Sequence, residues 1–334
     1  PIIIIGADPA SKHLDHPGGQ VTAILGLIGY LGKTNMPYRI LDTTQSSFPA
    51  PTIKSRIGRG LTRTVDLLKQ LTSSRPRGVL IFTGEGFSMV ERGIQALLCR
   101  LFGVPAIMCL RSGYIITDAQ SSALLRTLYR FVLGLPSQVV VQGGNWIAQL
   151  KELGFKTTHY QIVPNWPAED PENIYRVRTV PADQPVRFIF VGWLTERKGI
   201  NELIAAYDLI ADGEKVNEWS PRYGKKVDVK GWVDASALPE IYEQHDVLVL
   251  PSYAEGFPNV LIESMARAMP VIATPVGGIP DSLEDGVNGW LVPVRDARSL
   301  AGAMRKYIED RDVLKEHSEN AFETVKQKHN MNNN

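Results

Sequence analysis

The chain of 334 residues is 44% hydrophobic and 21% charged, the make-up of an ordinary globular protein with room for two separate cores. No run approaches the roughly 18 consecutive apolar residues of a membrane-spanning helix, and neither an Asp-x-Asp pair in an apolar setting nor a His/Cys cluster with metal spacing occurs, so no metal is expected. The net charge of +1 conceals an asymmetry: residues 1–165 carry 17 Lys and Arg against 8 Asp and Glu, the remainder 19 against 27. The basic half is expected to meet something anionic, though not a nucleic acid.

Residues 1–6, Pro-Ile-Ile-Ile-Ile-Gly, are too short for a signal peptide and lack a basic start; they read as the first core strand. Strands are expected over 2–5, 38–41, 79–82, 106–110, 138–142 and 160–163, and helices over 21–31, 62–71, 90–102 and 124–133. That alternation predicts parallel β-α units in a doubly wound sheet, an α/β fold. Between the first strand and helix, Asp15-His-Pro-Gly-Gly-Gln20 brings paired glycines, Gly18 and Gly19, to a helix start, where backbone can approach a ligand closely; His16 can add a contact or simply face solvent. Lys54, Arg56, Arg59 and Arg63 interleave with Ile53, Ile57 and Leu61, a basic stripe beside an apolar one if the segment is helical, although Gly58 and Gly60 oppose a helix. Such a surface suits an anionic membrane or a lipid-diphosphate acceptor, or is a solvated face. Cys99 and Cys109 lie in apolar stretches and read as buried thiols of a protein in a reducing compartment.

Residues 167–185, rich in Pro, Glu and Asp, read as a linker between a domain over 1–166 and a second over 186–310. The second opens on Val186-Arg-Phe-Ile-Phe-Val-Gly192 and continues with a helix over 200–210, strands near 227–229 and over 247–250, a helix over 261–269 and a strand over 271–273. One more core strand is expected between Ile210 and Val227, where the sequence offers only Ala211-Asp-Gly-Glu-Lys without a preceding apolar run. Of a shortened sheet and residues missing near 210–211, the second is the favoured reading. From 299 to about 328 the pattern is helical and charged.

The most informative stretch runs from Pro251 to Ala268. Asp246 to Ser252 reads as a buried parallel strand, and Pro258 suits the first turn of the helix that follows. Glu255 then lies in the strand-to-helix loop and Glu263 about one turn into the helix. The amides of Asn259, Val260 and Leu261 would point out of the helix start, where an α/β sheet holds phosphate. Two carboxylates beside such an end suit a nucleotide-sugar, because acids accept hydrogen bonds from sugar hydroxyls.

This stretch, with Pro270-Val-Ile-Ala-Thr-Pro-Val-Gly-Gly-Ile-Pro-Asp281 and Asp285-Gly-Val-Asn-Gly-Trp-Leu-Val292, closely resembles the donor-binding signature of retaining glycosyltransferase family 4. The resemblance implies a GT-B fold, two Rossmann-like doubly wound domains facing each other across a cleft, the first on the acceptor side, with residues 311–334 crossing back to it. It implies transfer of a sugar, with retention and without metal or cofactor, from a nucleotide-sugar to a glycan or lipid-linked acceptor. The enzyme would be cytoplasmic or peripheral on the inner face of the membrane, in polysaccharide biosynthesis of the cell envelope. A UDP-sugar is favoured over GDP-mannose, and a degenerate nucleotide-binding protein is the non-enzymatic alternative.

Residue roles follow from the same resemblance. Glu255 would bind donor-sugar hydroxyls and Glu263 the ribose, while Gly256, Phe257, Pro258, Asn259, Val260 and Leu261 form the phosphate loop. Gly192-Trp-Leu-Thr-Glu-Arg-Lys-Gly199 matches a motif whose lysine, here Lys198, neutralises the leaving diphosphate. Trp193 stands where the family has a second cation, a charge that Arg197 would supply. The loop with Gly18 and Gly19 would lean onto the diphosphate, and Lys230-Gly231-Trp-Val233 would hold the base through backbone groups. Relatives carry a histidine in the loop after residues 106–110; here Arg111 or Ser112 would take its place.

Overall fold

Ile3, Ile4 and Ile5 are all fully buried. Successive strand side chains point to opposite faces, so such a run needs helices on both sides of a parallel sheet. The computed structural model, which describes residues 1–11, 19–44, 52–167, 171–210 and 228–329, has that arrangement in the first of two units, Pro1–Pro164 and Asn165–Asn334. Six parallel strands run in the order β2 (Tyr38–Asp42), β1 (Ile2–Gly6), β3 (Gly78–Thr83), β4 (Ala106–Leu110), β5 (Gln138–Val141), β6 (Tyr160–Ile162). Ile3 and Ile5 join a core with Leu67, Met89 and Tyr129, while Ile4 joins Ile24, Leu31 and Phe82 on the other face.

The expected helices are present as α1 (Gly19–Lys33), α2 (Ile53–Ser73), α3 (Phe87–Leu101) and α5 (Ala123–Leu133). α2 starts well before residue 62 because Thr52 caps it, its hydroxyl accepting from the Ser55 amide. Two helices were not anticipated, α4 (Tyr114–Ser121) and α6 (Gly144–Glu152); two turns carry too few apolar repeats to register as a period. Cys99 and Cys109 are buried and unlinked, and burial pushes their thiols up to about 12 and about 11.

In the second unit four parallel strands run in the order β10 (Gly289–Leu291), β9 (Val271–Ala273), β8 (Val247–Leu250), β7 (Phe188–Ile189). Only Phe188 and Ile189 of the run 186–192 find ladder partners, on Val247 and Leu248. Residues 228 and 229 form no strand and Val229 is exposed; residue 227, and the stretch 211–227 where a further strand was sought, lie outside the described residues. Between the strands lie α7 (Pro171–Ile174), α8 (Ile200–Ile210), α9 (Leu238–Glu243) and α10 (Asn259–Ala266). The charged C-terminal pattern is two helices, α11 (Ala297–Glu309) and α12 (Arg311–Lys328), divided by Asp310, whose carboxylate caps α12 through the amides of Asp312 and Val313. Part of the expected linker is structured: Arg178 and Val180 are buried, and the Arg178 amide donates to Ser318 Oγ on α12 at 2.7 Å. No helix among the described residues is long and apolar enough to cross a membrane.

Two buried histidines secure the last helices. His317 Nδ1 lies 2.8 Å from Tyr307 OH, and His329 bridges Ser282 Oγ and the Asn165 carbonyl, each at 2.7 Å. Burial holds both below the usual histidine value. The unfolded chain therefore binds more protons below about pH 6.5, so stability is complete above that value and falls as pH drops. The thermal midpoint is expected to decline steadily from about pH 6.5 to 5; a flat profile over that range would contradict the account.

Candidate functional site

A nearly buried carboxylate is costly unless it is paired, and Glu255, 9% exposed, has two partners. Lys198 Nζ lies 2.6 Å and Ser252 Oγ 2.7 Å from its Oε1. Two turns bring these groups together. Glu196–Lys198 make one 3-10 turn ending at Gly199, where φ is +72°, and a Cβ at Gly199 would fall 1.9 Å from the Pro251 carbonyl oxygen. Only glycine both adopts that conformation and lets the turn press on the end of β8. The Tyr253 amide then donates to the Arg197 carbonyl at 3.0 Å, and Thr274 Oγ1 donates to the Ser252 carbonyl at 2.5 Å. The result is a fixed ammonium held by a fixed carboxylate at the mouth of a strand-to-helix loop.

Pro258 caps α10 at the far side of that loop. Three free amides were expected, but the Leu261 amide donates to the Pro258 carbonyl at 3.1 Å, which leaves Asn259 and Val260. The reason is the tight first turn that a residue locked at the proline φ produces. Phe257 and Leu261 are core residues, 5% and 0% exposed, so only their backbone is available to a ligand. The loop is held by Asn165, whose Nδ2 donates to the Phe257 carbonyl at 3.0 Å and to Asn259 Oδ1 at 2.6 Å, and by the Gly278 amide on the Gly256 carbonyl at 2.8 Å.

Glu263 is half-buried on α10 and accepts from Tyr242 OH at 3.2 Å. Burial, and then the Glu263 charge, push the Tyr242 phenol well above its ordinary value, so it stays a donor. Gly192 and Gly231 lie in exposed turns, Gly231 with φ +70°; the residues after them, Trp193 and Trp232, are 43% and 49% exposed with ring centres 6.0 Å apart. The Arg197 side chain is exposed.

The remaining expected residues belong to the first unit. Gly19 is exposed at the start of α1, whereas His16 and Gly18 lie outside the described residues. Arg111 follows β4, its amide on the Thr83 carbonyl and its guanidinium 5.5 Å from the centre of the Phe82 ring; burial lowers its pKa. Of the basic stripe, Lys54 is exposed, while Arg56, Arg59 and Arg63 are half-buried. Among the described residues no group of three or more His, Cys, Asp or Glu is placed to hold a metal ion.

Sequence reading missed Ser252, Tyr242 and Asn165 as site residues, and the pairing of Trp193 with Trp232. Ser252 carried a signal, since it stands only three positions before Glu255 in the same loop. Asn165 and Tyr242 carried none, because their partners are 92 and 21 residues away.

Residues 172–324 match the family model for glycosyl transferases group 1. WcaL of Salmonella typhimurium, named for a glycosyltransferase role in colanic acid biosynthesis, is 32% identical over 171 residues, 44% of this chain and 42% of that protein. AmsK of Erwinia amylovora, an amylovoran biosynthesis glycosyltransferase, is 29% identical over 144 residues, 36% and 35% of the two chains. The matched stretches thus span less than half of those relatives. Among solved structures, sucrose-phosphate synthase from Thermosynechococcus elongatus superposes with a TM-score of 0.77 at 21% identity, covering 99% of this chain and 95% of that one. Anabaena HepE, in complex with UDP and glucose, gives 0.69 at 14% identity over 98% and 95%. Identity that low carries the fold alone, which is α/β of the GT-B type. Residues 172–324, a little under half of the chain, are thus similar to the glycosyl transferases group 1 family.

Proposed function

We propose that the protein is a retaining, metal-independent glycosyltransferase that moves a sugar from a nucleotide-sugar to a glycan or lipid-linked acceptor. The observation that carries this reading is the 2.6 Å contact of Lys198 with Glu255 beside the start of α10. When the bond between the anomeric carbon and the diphosphate oxygen breaks, negative charge grows on the leaving group. A fixed ammonium and the amides of Asn259 and Val260 meet that charge in the transition state more than in the ground state. Glu255 orients Lys198 and accepts from the sugar hydroxyls; Glu263 accepts from the ribose. The acceptor oxygen attacks from the face the diphosphate leaves, and the departing phosphate oxygen takes its proton, so no protein nucleophile is needed. Arg197, next to Lys198 in the 3-10 turn, adds a second cation to the anion contacts.

UDP is the preferred nucleotide, on the precedent of HepE, and GDP-mannose is its rival. The exposed faces of Trp193 and Trp232 suit a base, and stacking contributes about 1–3 kcal/mol per base, so Trp232→Ala is expected to weaken UDP binding by roughly tenfold or more. Ile53, Ile57 and Leu61 stand exposed along one side of α2 with Lys54 beside them, which suits rest on an anionic membrane surface at the cytoplasmic side. The primary test is a thermal-shift screen of nucleotide-sugars. A ligand at a hundred times its Kd stabilises the folded state by about 2.7 kcal/mol, a rise of roughly 5–10 °C for a unit of this size. No shift with any UDP- or GDP-sugar counts against the proposal; a shift without turnover under any acceptor favours a binding protein.

A further inference from the structure

Four arginines, Arg56, Arg59, Arg63 and Arg92, line a cavity of about 260 Å³ in the first unit, and Glu91 is the one acidic residue in its wall among the described residues. Two of the four are spent on Glu91. Arg63 Nε and Nη2 donate to its two carboxylate oxygens at 2.8 and 3.0 Å, and Arg92 Nη1 lies 2.8 Å from Oε1. Burial pushes the Glu91 carboxyl up, but the Arg63 hydrogen bond and the charges of Arg92 and Arg63 outweigh it and hold the group ionised below its usual value. Among the described residues, one carboxylate against four guanidiniums leaves a charge excess of three.

The other two arginines point to what fills the cavity. Arg56 lies over the Phe87 ring at 5.4 Å, and the buried Arg59 Nε has no hydrogen-bond partner among the described residues. A buried donor without a partner destabilises the fold unless a ligand satisfies it. Gly60 belongs to the same construction. A Cβ there would lie 3.2 Å from Glu91 Cδ, so a residue that weakens the helix by propensity is what lets α2 close over the ion pair. Thr43 and Thr44 follow β2, Phe82 lies in β3 and Ser88 is in the first turn of α3. The cavity thus sits at the carboxyl ends of strands where the order reverses between β1 and β3, the place where open α/β sheets take ligands.

We infer that this cavity binds a phosphate or diphosphate group of the acceptor, an inference that rests on reading the chain as a glycosyltransferase. Guanidinium forks match phosphate oxygens two at a time, and an excess of three charges calls for a multiply charged anion. The volume admits one anionic head group and leaves the rest of the acceptor outside. The separation of Arg63 from the exposed Lys54 also divides the basic stripe into a cavity wall and a surface.

The test titrates inorganic pyrophosphate into the full chain with UDP present in excess, so that the donor loop of the second unit is occupied. Binding by the parent protein that weakens at least tenfold in both Arg56→Gln and Arg59→Gln, with the UDP isotherm intact, supports the inference. Arg59→Lys, which keeps the charge without the fork, should fall in between and guards against a folding artefact, as does an unchanged melting temperature. Equal pyrophosphate binding in parent and both Gln variants overturns it. Arginine-dependent pyrophosphate binding with no UDP binding at all would remove the donor reading and leave the anion site standing. Two further probes assign the source of the anion. Glucose 1-phosphate binding that Arg59→Gln abolishes places the group on a soluble sugar phosphate. Adhesion to phosphatidylglycerol vesicles that the same variant abolishes places it on a lipid. Loss of neither overturns the proposal.

Discussion

Glu255→Gln is expected to lower kcat/KM for sugar transfer about a thousandfold, close to 4 kcal/mol of transition-state stabilisation, while UDP binds within about tenfold of the parent. The amide keeps the shape and can still accept from Ser252 Oγ, so the fold should survive; what disappears is the charge that holds Lys198 at 2.6 Å. A purely structural ion pair predicts the opposite division. The Lys198 side chain is 31% exposed and can turn to water once released, so that reading expects a small stability change, of the order of 1 kcal/mol, and no particular effect on kcat. Steady-state kinetics with a thermal melt separates the two. A kcat within a few-fold of the parent would sink the catalytic assignment, and Lys198→Ala should lower kcat by a similar factor without restoring anything in the double variant, because the two residues act as one unit.

Gly199→Ala is expected to be strongly damaging. The backbone at φ +72° costs a side-chain-bearing residue about 1 kcal/mol. A Cβ placed 1.9 Å from the Pro251 carbonyl must drive the 3-10 turn off β8, and overpacking of that kind adds about 1–3 kcal/mol. A fall in melting temperature of roughly 5–15 °C follows, together with loss of activity, because the displaced turn carries Lys198 away from Glu255. Gly302 supplies the control. It lies within α11 with nothing within 4 Å of an added methyl, so Gly302→Ala should stabilise by about 0.5–1 kcal/mol. Equal melting temperatures for the two variants would contradict the packing argument.

These effects show where the site could be seen in the chain and where it could not. Glu255, Pro258 and Asn259 were legible because a strand, a turn and a helix start follow one another within a dozen residues, and each leaves a local trace: apolar β-formers, a proline, a change of period. Lys198 was found only by resemblance to a motif, since nothing in its neighbourhood announces a partner 57 residues away. The expectation of three free amides failed at Leu261 for a reason that spacing does not express, namely a tight first turn that consumes one of them.

The basic segment on α2 makes the same point in the other direction. Its spacing correctly placed Arg56, Arg59 and Arg63 on one helix, yet Gly58 and Gly60 argued against that helix. The conflict is resolved in space: Gly60 faces the Glu91 carboxylate, and Arg63 reaches it from the same side. A local rule was broken where α2 meets α3, and the gain lies in a contact 28 residues away in sequence.

What the amino-acid order determined by itself was the run of parallel strands, from the isoleucines of β1 to the valines and leucines of β8, and the loop that opens α10. Period and propensity act between neighbours, and neighbours are what a sequence displays. Tertiary structure alone decided that Trp193 would stand 6.0 Å from Trp232, that the extra strand β10 would pair with β9, and that Arg63 and Arg92 would share one carboxylate. Those arrangements arise because burial forces polar groups to find partners wherever the folded chain brings them, at separations that no local pattern records.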